Sequence, residues 1–367
     1  MSLQGAKFPL THPLSPGVPR ERGFFYNSLM QSIPFEQAIF HRPDRIEPRL
    51  VVISTGFKVS WQSEAIALIL GFGDRPAGVE CPLAVFAKPL GKNHVAIVRV
   101  KDETPDVLPS GLKLRGLIFH FLVVDRVLYE AWICDPFILA EKIPPVWNSA
   151  ELLPTITLPT DAFQARTLAQ VQAVLKRVKA SGLREGEDPD APDFERTADN
   201  SESPALLGGA QILVDGGRLV FERPAGDLRM VSGLWLLLPE MTRIRRWPTS
   251  FAFSQDLDFD VLVVPKLDEV VIESYTTEEQ AADYPDGAYE LALQRAAENG
   301  EQGDLDEVFR RRDGNQTLRI GIALFVVMSL LVLVSRWLTP TPLPAPPLKV
   351  LTAATIVSIC DPIPAAT

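Results

Sequence analysis

An uncharged run at 320–334, broken only by Gly321 and Ser329, limits what this chain can be more than any other stretch of it. A helix built from such a run has no polar side to give to water, so it must be covered all round. Continued through Arg336 to Trp337 and Leu338, the stretch counts 19 residues. At 1.5 Å of rise each they extend about 28 Å, close to the roughly 30 Å hydrocarbon core of a bilayer. Pro340, Pro342, Pro344, Pro346 and Pro347 follow and cannot prolong a packed helix. One transmembrane helix is therefore expected over 318–338. Ile320, Leu324, Phe325, Leu330, Leu331 and Leu333 would face lipid tails, while Arg336 snorkels and Trp337 sits at the headgroups with its N–H wet.

Orientation follows from the flanks. Arg310, Arg311, Arg312 and Arg319 precede the helix, and only Arg336 and Lys349 follow it, which favours a cytoplasmic N-terminal region. The first 23 residues carry no continuous apolar segment of the kind a secretory signal needs. The chain is thus expected to be single-pass and tail-anchored, with the lipid bilayer as a partner and a Pro-rich tail at 339–367 on the outer side.

The rest of the sequence reads as α+β: two mixed α+β modules joined by an acidic disordered linker, followed by the transmembrane helix. A first domain is expected over 1–182. Its strand-like runs are 50–54, 83–87, 95–100, 117–124 and 127–133, and 119–124 with 127–133 around Asp125-Arg126 suggests a hairpin. A helix is expected at 63–71, and an amphipathic one at 161–180, where Phe163, Leu168, Val171, Val174, Leu175 and Val178 share a stripe. Between Glu185 and Glu202 lie eight acids and one arginine, too little apolar surface to offset the entropy of ordering, so 183–203 is expected as a disordered linker.

A second, small α+β module is expected over 204–275. It starts with a hairpin, 210–214 and 218–222 around Asp215-Gly216-Gly217, continues with a helix at 227–238, and ends with strands at 251–253 and 259–264. Ten acids and one arginine between 276 and 307 suggest a stalk, 276–317, with a helix at 286–298 and a basic juxtamembrane end.

Chemistry is sparse. The net charge of −10 argues against nucleic acid as a partner, since phosphate backbones call for clustered Lys and Arg. Cys81, Cys134 and Cys360 have no metal-ligand spacing, and His12, His41, His94 and His120 fall in no H-x-x-H pattern, so no metal or cofactor is expected. Gly71-Phe72-Gly73-Asp74 lacks the Lys-Ser/Thr of a phosphate loop and reads as a helix end and turn. His120, between Phe119 and Phe121, reads first as a core histidine. Arg243, Arg245 and Arg246 beside Trp247 form the compact basic and aromatic cluster of the second module, a candidate contact for a protein partner.

The run Phe119-His120-Phe121-Leu122-Val123-Val124-Asp125-Arg126, then Tyr129, Asp135-Pro136-Phe137, Pro144-Pro145-Val146-Trp147 and Leu153-Pro154, resembles the N-terminal domain of bacterial GTPase-associated adaptor proteins. Leu234-Trp235-Leu236-Leu237-Leu238-Pro239, Arg243 and Ser250-Phe251 are similar to the module that follows in such proteins. The resemblance implies an adaptor beside a GTPase or other NTPase, without catalytic residues of its own. A membrane-anchored, non-enzymatic adaptor is thus the expected function. Two alternatives stand beside it: an enzyme with a site around His120, Asp125 and Asp135, and a membrane sensor that reports through its outer tail.

Overall fold

The computed structural model describes residues 32–310 and 314–338, apart from 45, 104–105, 108–112, 115, 148–150, 164, 183–202, 204 and 286. The chain divides into two compact units after Asp313. The expected linker, except Ser203, and the Pro-rich tail lie outside the described residues.

An antiparallel sheet organises the N-terminal half. Its strands are β1 (Ser32–Pro43), β2 (Arg49–Ile53), β3 (Ala84–Leu90), β4 (His94–Asp102) and β7 (Gly116–Asp125), in the order β2-β1-β7-β4-β3. The short strands β5 (Asp106–Val107) and β6 (Lys113–Leu114) pair with each other, and β8 (Ile156–Pro159) runs along the start of β1. The nearly unbroken apolar run of β7 fits its central place, with both faces covered. Alternation along the strand sends Phe119 and Phe121 to one face and His120 to the other.

The phenylalanine face is covered by α1 (Ser60–Gly71), which buries Trp61, Ala65 and Ile69 at successive turns. Phe40 meets Phe57 and Phe121 edge-on, and Phe72 meets Phe119 at 5.6 Å. The other face is reached by α3 (Pro136–Lys142), whose end receives the Arg99 guanidinium.

The expected hairpin after β7 does not form. Asp125 accepts hydrogen bonds from the N–H groups of Val127 and Leu128, at 2.8 and 3.4 Å, and caps the single turn α2 (Arg126–Leu128). A π-helical turn, Tyr129–Ile133, continues it and ends at Cys134 with φ 48°. Asp-Arg offers neither glycine nor asparagine for the positive φ that a two-residue hairpin needs, whereas aspartate is a strong helix cap. The same competition decides 206–222. Residues 210–214 belong to α5 (Leu206–Asp215), and Gly216, at φ 104°, is its left-handed end rather than a hairpin turn. Only the second run is a strand, β9 (Leu219–Glu222).

β9 lies at the centre of a parallel sheet, β10-β9-β11, with β10 at Val261–Val264 and β11 at Thr276–Thr277. Around it are α6 (Leu228–Leu237), capped by Asp227, α7 (Glu240–Arg245) and α8 (Glu269–Ser274). Residues 251–253 are not a strand, but the segment just before them carries the key connection. Ser250 N donates to Val85 O at 2.9 Å and Ala87 N to Pro248 O, which extends the first sheet beyond β3. Thr249 N donates to Val261 O and Ala252 N to Val263 O, at 2.9 and 2.8 Å, which binds the same segment to β10. The two expected modules thus share one hydrogen-bonded sheet and belong to a single unit.

The amphipathic stripe forms α4 (Leu168–Gly182), later than expected because Thr160–Ala162 is a separate 3-10 turn. The acidic segment is folded rather than a stalk: α9 (Glu278–Ala282), α10 (Ala288–Asn299) and α11 (Gln302–Phe309) bury Tyr289, Leu293, Ala296, Leu305 and Phe309. Its acids lie mainly on the outer side while its apolar residues meet α4 and α5, a helical periodicity that charge counting conceals. Gly300 ends α10 as expected. The second unit contains α12 (Gly314–Leu338).

Phe86 of β3 touches both Phe72 and Phe259, at 5.8 and 5.6 Å, on the two sides of the shared segment. Phe86→Ala is expected to cost about 3–5 kcal/mol, and calorimetry should still show one transition for both halves. Lys88, also on β3, donates to Asp258 O at 2.9 Å and lies over the Phe259 ring. Burial pulls its pKa down to about 8, against the pull of Asp260 and Asp258. The unfolded chain holds this proton more tightly, so the contribution of Lys88 is full above the ordinary 10.5 and is lost as pH falls through about 8. The stability difference between the wild type and Lys88→Met should therefore shift in favour of the wild type between pH 8 and 10.5, as read by denaturant titration.

Candidate functional site

The most unusual local structure lies where the π-helical turn meets the helices of the second half. A π turn lengthens the hydrogen-bond ladder by one residue, and a non-glycine residue at positive φ carries strain; both features concentrate at functional sites. Cys134 stands at that point, its thiol directed to Glu130 O at 3.0 Å. Its own carbonyl accepts from Trp235 Nε1 at 3.0 Å.

Next to it Asp135 caps α3 through Phe137 N and Ile138 N, while its other oxygen faces Arg243 Nη1 at 3.5 Å; both side chains are buried. Arg166 is buried on the same seam and donates to the carbonyls of Leu236 and Leu238 at the end of α6. Its guanidinium lies 3.5 Å over the Phe309 ring. Tyr129 is fully buried, stacks on Trp247 at 6.3 Å, and its hydroxyl has no hydrogen-bond partner among the described residues.

Burial dominates the electrostatics of this seam. Burial raises the Cys134 thiol to about 11, although Arg243 opposes it, so the sulfur stays protonated at neutral pH and is a poor nucleophile. Burial also raises the Asp135 carboxyl against the pull of Arg243, and it lowers Arg166 to about 9. Asp135 and Arg243 offset one another, and the Cys134 thiol points to backbone carbonyls rather than to a base.

The cluster read as a partner contact is largely absorbed by the same seam. Arg243 is buried against Asp135, Arg246 pairs with Asp260 at 2.7 Å, and Trp247 is held by Asp260 and Tyr129. Of the four, Arg245 is exposed. His120, Asp125 and Asp135 are not brought together. Nε2 of His120 meets Gln37 Oε1 at 2.9 Å, Asp125 caps α2, and Asp135 faces Arg243. Among the described residues no group of His, Cys, Asp and Glu converges on a metal.

On α12, Leu324, Phe325, Leu330, Leu331 and Leu333 are between 56% and 73% exposed. The backbones of Ile320, Arg336 and Trp337 lie in the same helix. Among the described residues no helix is long and apolar enough to cross a membrane. The side chains described in α12 run from 321 to 335, which cover about 22 Å at 1.5 Å per residue.

Sequence reasoning passed over Arg99 and Arg166, and gave Tyr129 no role beyond the resemblance. A single cation inside the apolar run 95–100 was a legible sign for Arg99; the other two lie in segments whose partners come from distant parts of the chain. Compared with protein-family models and with curated proteins, the chain matches none.

Removing one side of the buried pair strands a charge. Arg243→Met is expected to destabilise the protein by about 3–5 kcal/mol, and adding Asp135→Asn should return most of that loss. Denaturant titrations of the two single variants and the double variant, followed by tryptophan fluorescence, measure this coupling.

Proposed function

We propose that the chain is a single-pass membrane protein whose folded body, 32–310, is a non-enzymatic adaptor on the cytoplasmic side. The observation that carries this reading is the exposure of α12: every large apolar side chain from Ile322 to Val334 is at least half exposed, in a unit separate from the rest. In water each such side chain forgoes roughly 1–2 kcal/mol of burial, and a bilayer supplies that burial all round the helix. The helix continues in backbone from Gly314 to Leu338, and the sequence at 320–338 gives it the length of a hydrocarbon core. The four arginines before the run orient it with the body inside.

The adaptor role rests on how the body uses its polar groups. Its buried ionic residues tie helices to one another and to the first sheet, which suits a rigid platform for protein partners. A GTPase or other NTPase is the partner that the resemblance of 119–154 points to. In that role the acidic outer side of α9 to α11 is available to a basic surface.

The decisive test is fractionation of cells that produce the full chain. The protein should sediment with membranes and stay there through alkaline carbonate, and protease added to sealed inside-in vesicles should spare the body. Leu331→Arg, which adds about 3–4 kcal/mol to insertion at the helix centre, should shift the protein to the soluble fraction. A wild-type chain that stays in the supernatant would sink the proposal.

A further inference from the structure

On the sheet face opposite the phenylalanines, Arg99 of β4 and His120 of β7 are direct cross-strand partners. They are 1% and 0% exposed. Arg99 sends Nη2 to the carbonyls of Ala140, at 2.8 Å, Leu139 and Ile143 at the end of α3, but its Nε and Nη1 are buried without a hydrogen-bond partner among the described residues. No carboxylate among the described residues acts on its charge; burial alone lowers its pKa, to about 10. A buried guanidinium with two idle donors and no counter-charge is expensive, and native interiors seldom leave it so.

His120 fixes the rest of the pattern. Gln37 Nε2 donates to Pro154 O at 2.6 Å, which turns Gln37 Oε1 toward His120, and that oxygen can only accept. His120 Nε2 is therefore the N–H. In the neutral ring, which burial and Arg99 both favour, Nδ1 is left as a bare acceptor, and it too lacks a partner among the described residues. Trp147 lies 6.4 Å from the His120 ring, half-buried, on an extended segment without regular structure, and Lys101 Nζ stands 4.7 Å from the Trp147 ring.

Two cationic donors beside one acceptor select a ligand. Water could satisfy the hydrogen bonds but not the charge, and a fully ionised anion could satisfy the charge but not Nδ1. We infer that Arg99, His120 and Trp147 form a binding site for a small oxyanion that still carries a hydroxyl, of which hydrogen phosphate is the simplest. Its bare oxygens accept from Arg99 Nε and Nη1 and its O–H donates to His120 Nδ1, with the Trp147 ring beside His120 and Lys101 beside that ring. This site belongs to the body of the protein and is independent of membrane anchoring.

Thermal unfolding of the full chain in detergent micelles tests the site, at constant ionic strength with chloride as the reference salt. Inorganic phosphate should raise the Tm saturably, because a ligand that binds only the folded state stabilises it by mass action. Sulfate, which has no hydroxyl at neutral pH, should require roughly tenfold more or fail. Methyl phosphate keeps one hydroxyl only when singly charged; a shift equal to that of phosphate would extend the site to monoesters, and a smaller one would restrict it to the free ion. Arg99→Met removes a buried charge at little change in volume and should lose the phosphate effect. His120→Leu should lose the preference for phosphate over sulfate, and it serves as the test if Arg99→Met does not fold. Equal effects of phosphate and sulfate on the wild type, an undiminished phosphate effect in either folded variant, or no saturable shift in the folded wild type would overturn the assignment.

Discussion

The backbone hydrogen bonds made by 247–252 hold the body of this protein together. This segment gives one edge to β3 and the other to β10, so an antiparallel sheet and a parallel one become continuous. Each of these bonds is modest in net terms, but leaving a buried N–H or C=O unpaired costs about 1–3 kcal/mol, so both sheets depend on the segment being present. Ser250 adds a side-chain bond to the N–H of Val85, again from within the segment. The flanking residues then fall into place: Trp247 against Tyr129, Arg246 against Asp260, and Phe253 against Phe72.

The acidic residues show how composition alone can mislead. Ten acids between 276 and 307 suggested a solvated stalk, yet the same stretch places Tyr289, Leu293, Leu305 and Phe309 in the core. The apolar residues recur at helical intervals, and that pattern carries more free energy than the charges on the other side. The buried ions likewise tie elements together. Arg166 links the approach to α4 with the end of α6 and with Phe309, and the half-buried Arg223, just after β9, makes a two-pronged pair with Glu278 of α9.

Much of the fold was readable wherever a single local signal was unopposed. The strands at 49–53, 84–90, 94–102 and 116–125, the helices at 60–71 and 228–237, and the glycine stop after α10 all follow from periodicity and caps. The failures occurred where one signal serves two structures. Gly216 suits a turn between strands and a helix terminus equally well, while Asp125, between two apolar runs, is a stronger helix cap than a hairpin residue. The mixed α+β class could be read; the union of the two halves could not, because it depends on a pairing of Val85 with Ser250 across 165 positions. Of the candidate partner cluster, Arg245 is exposed as expected, whereas Arg243 is buried against Asp135 from the other half.

That long-range pairing also has a consequence for biogenesis. β3 is synthesised long before its edge partner, and at ribosomal speeds of about 5–20 residues per second the interval is on the order of 10–30 s. Throughout it, a nascent strand rich in valine, alanine and phenylalanine has a free edge, the kind of surface that templates misassociation. The proline and lysine within β3, Pro89 and Lys88, are residues that discourage such pairing. Truncated products that end before residue 250 would keep that edge open permanently, so the last third of the folded body acts on the first as a built-in guard against aggregation.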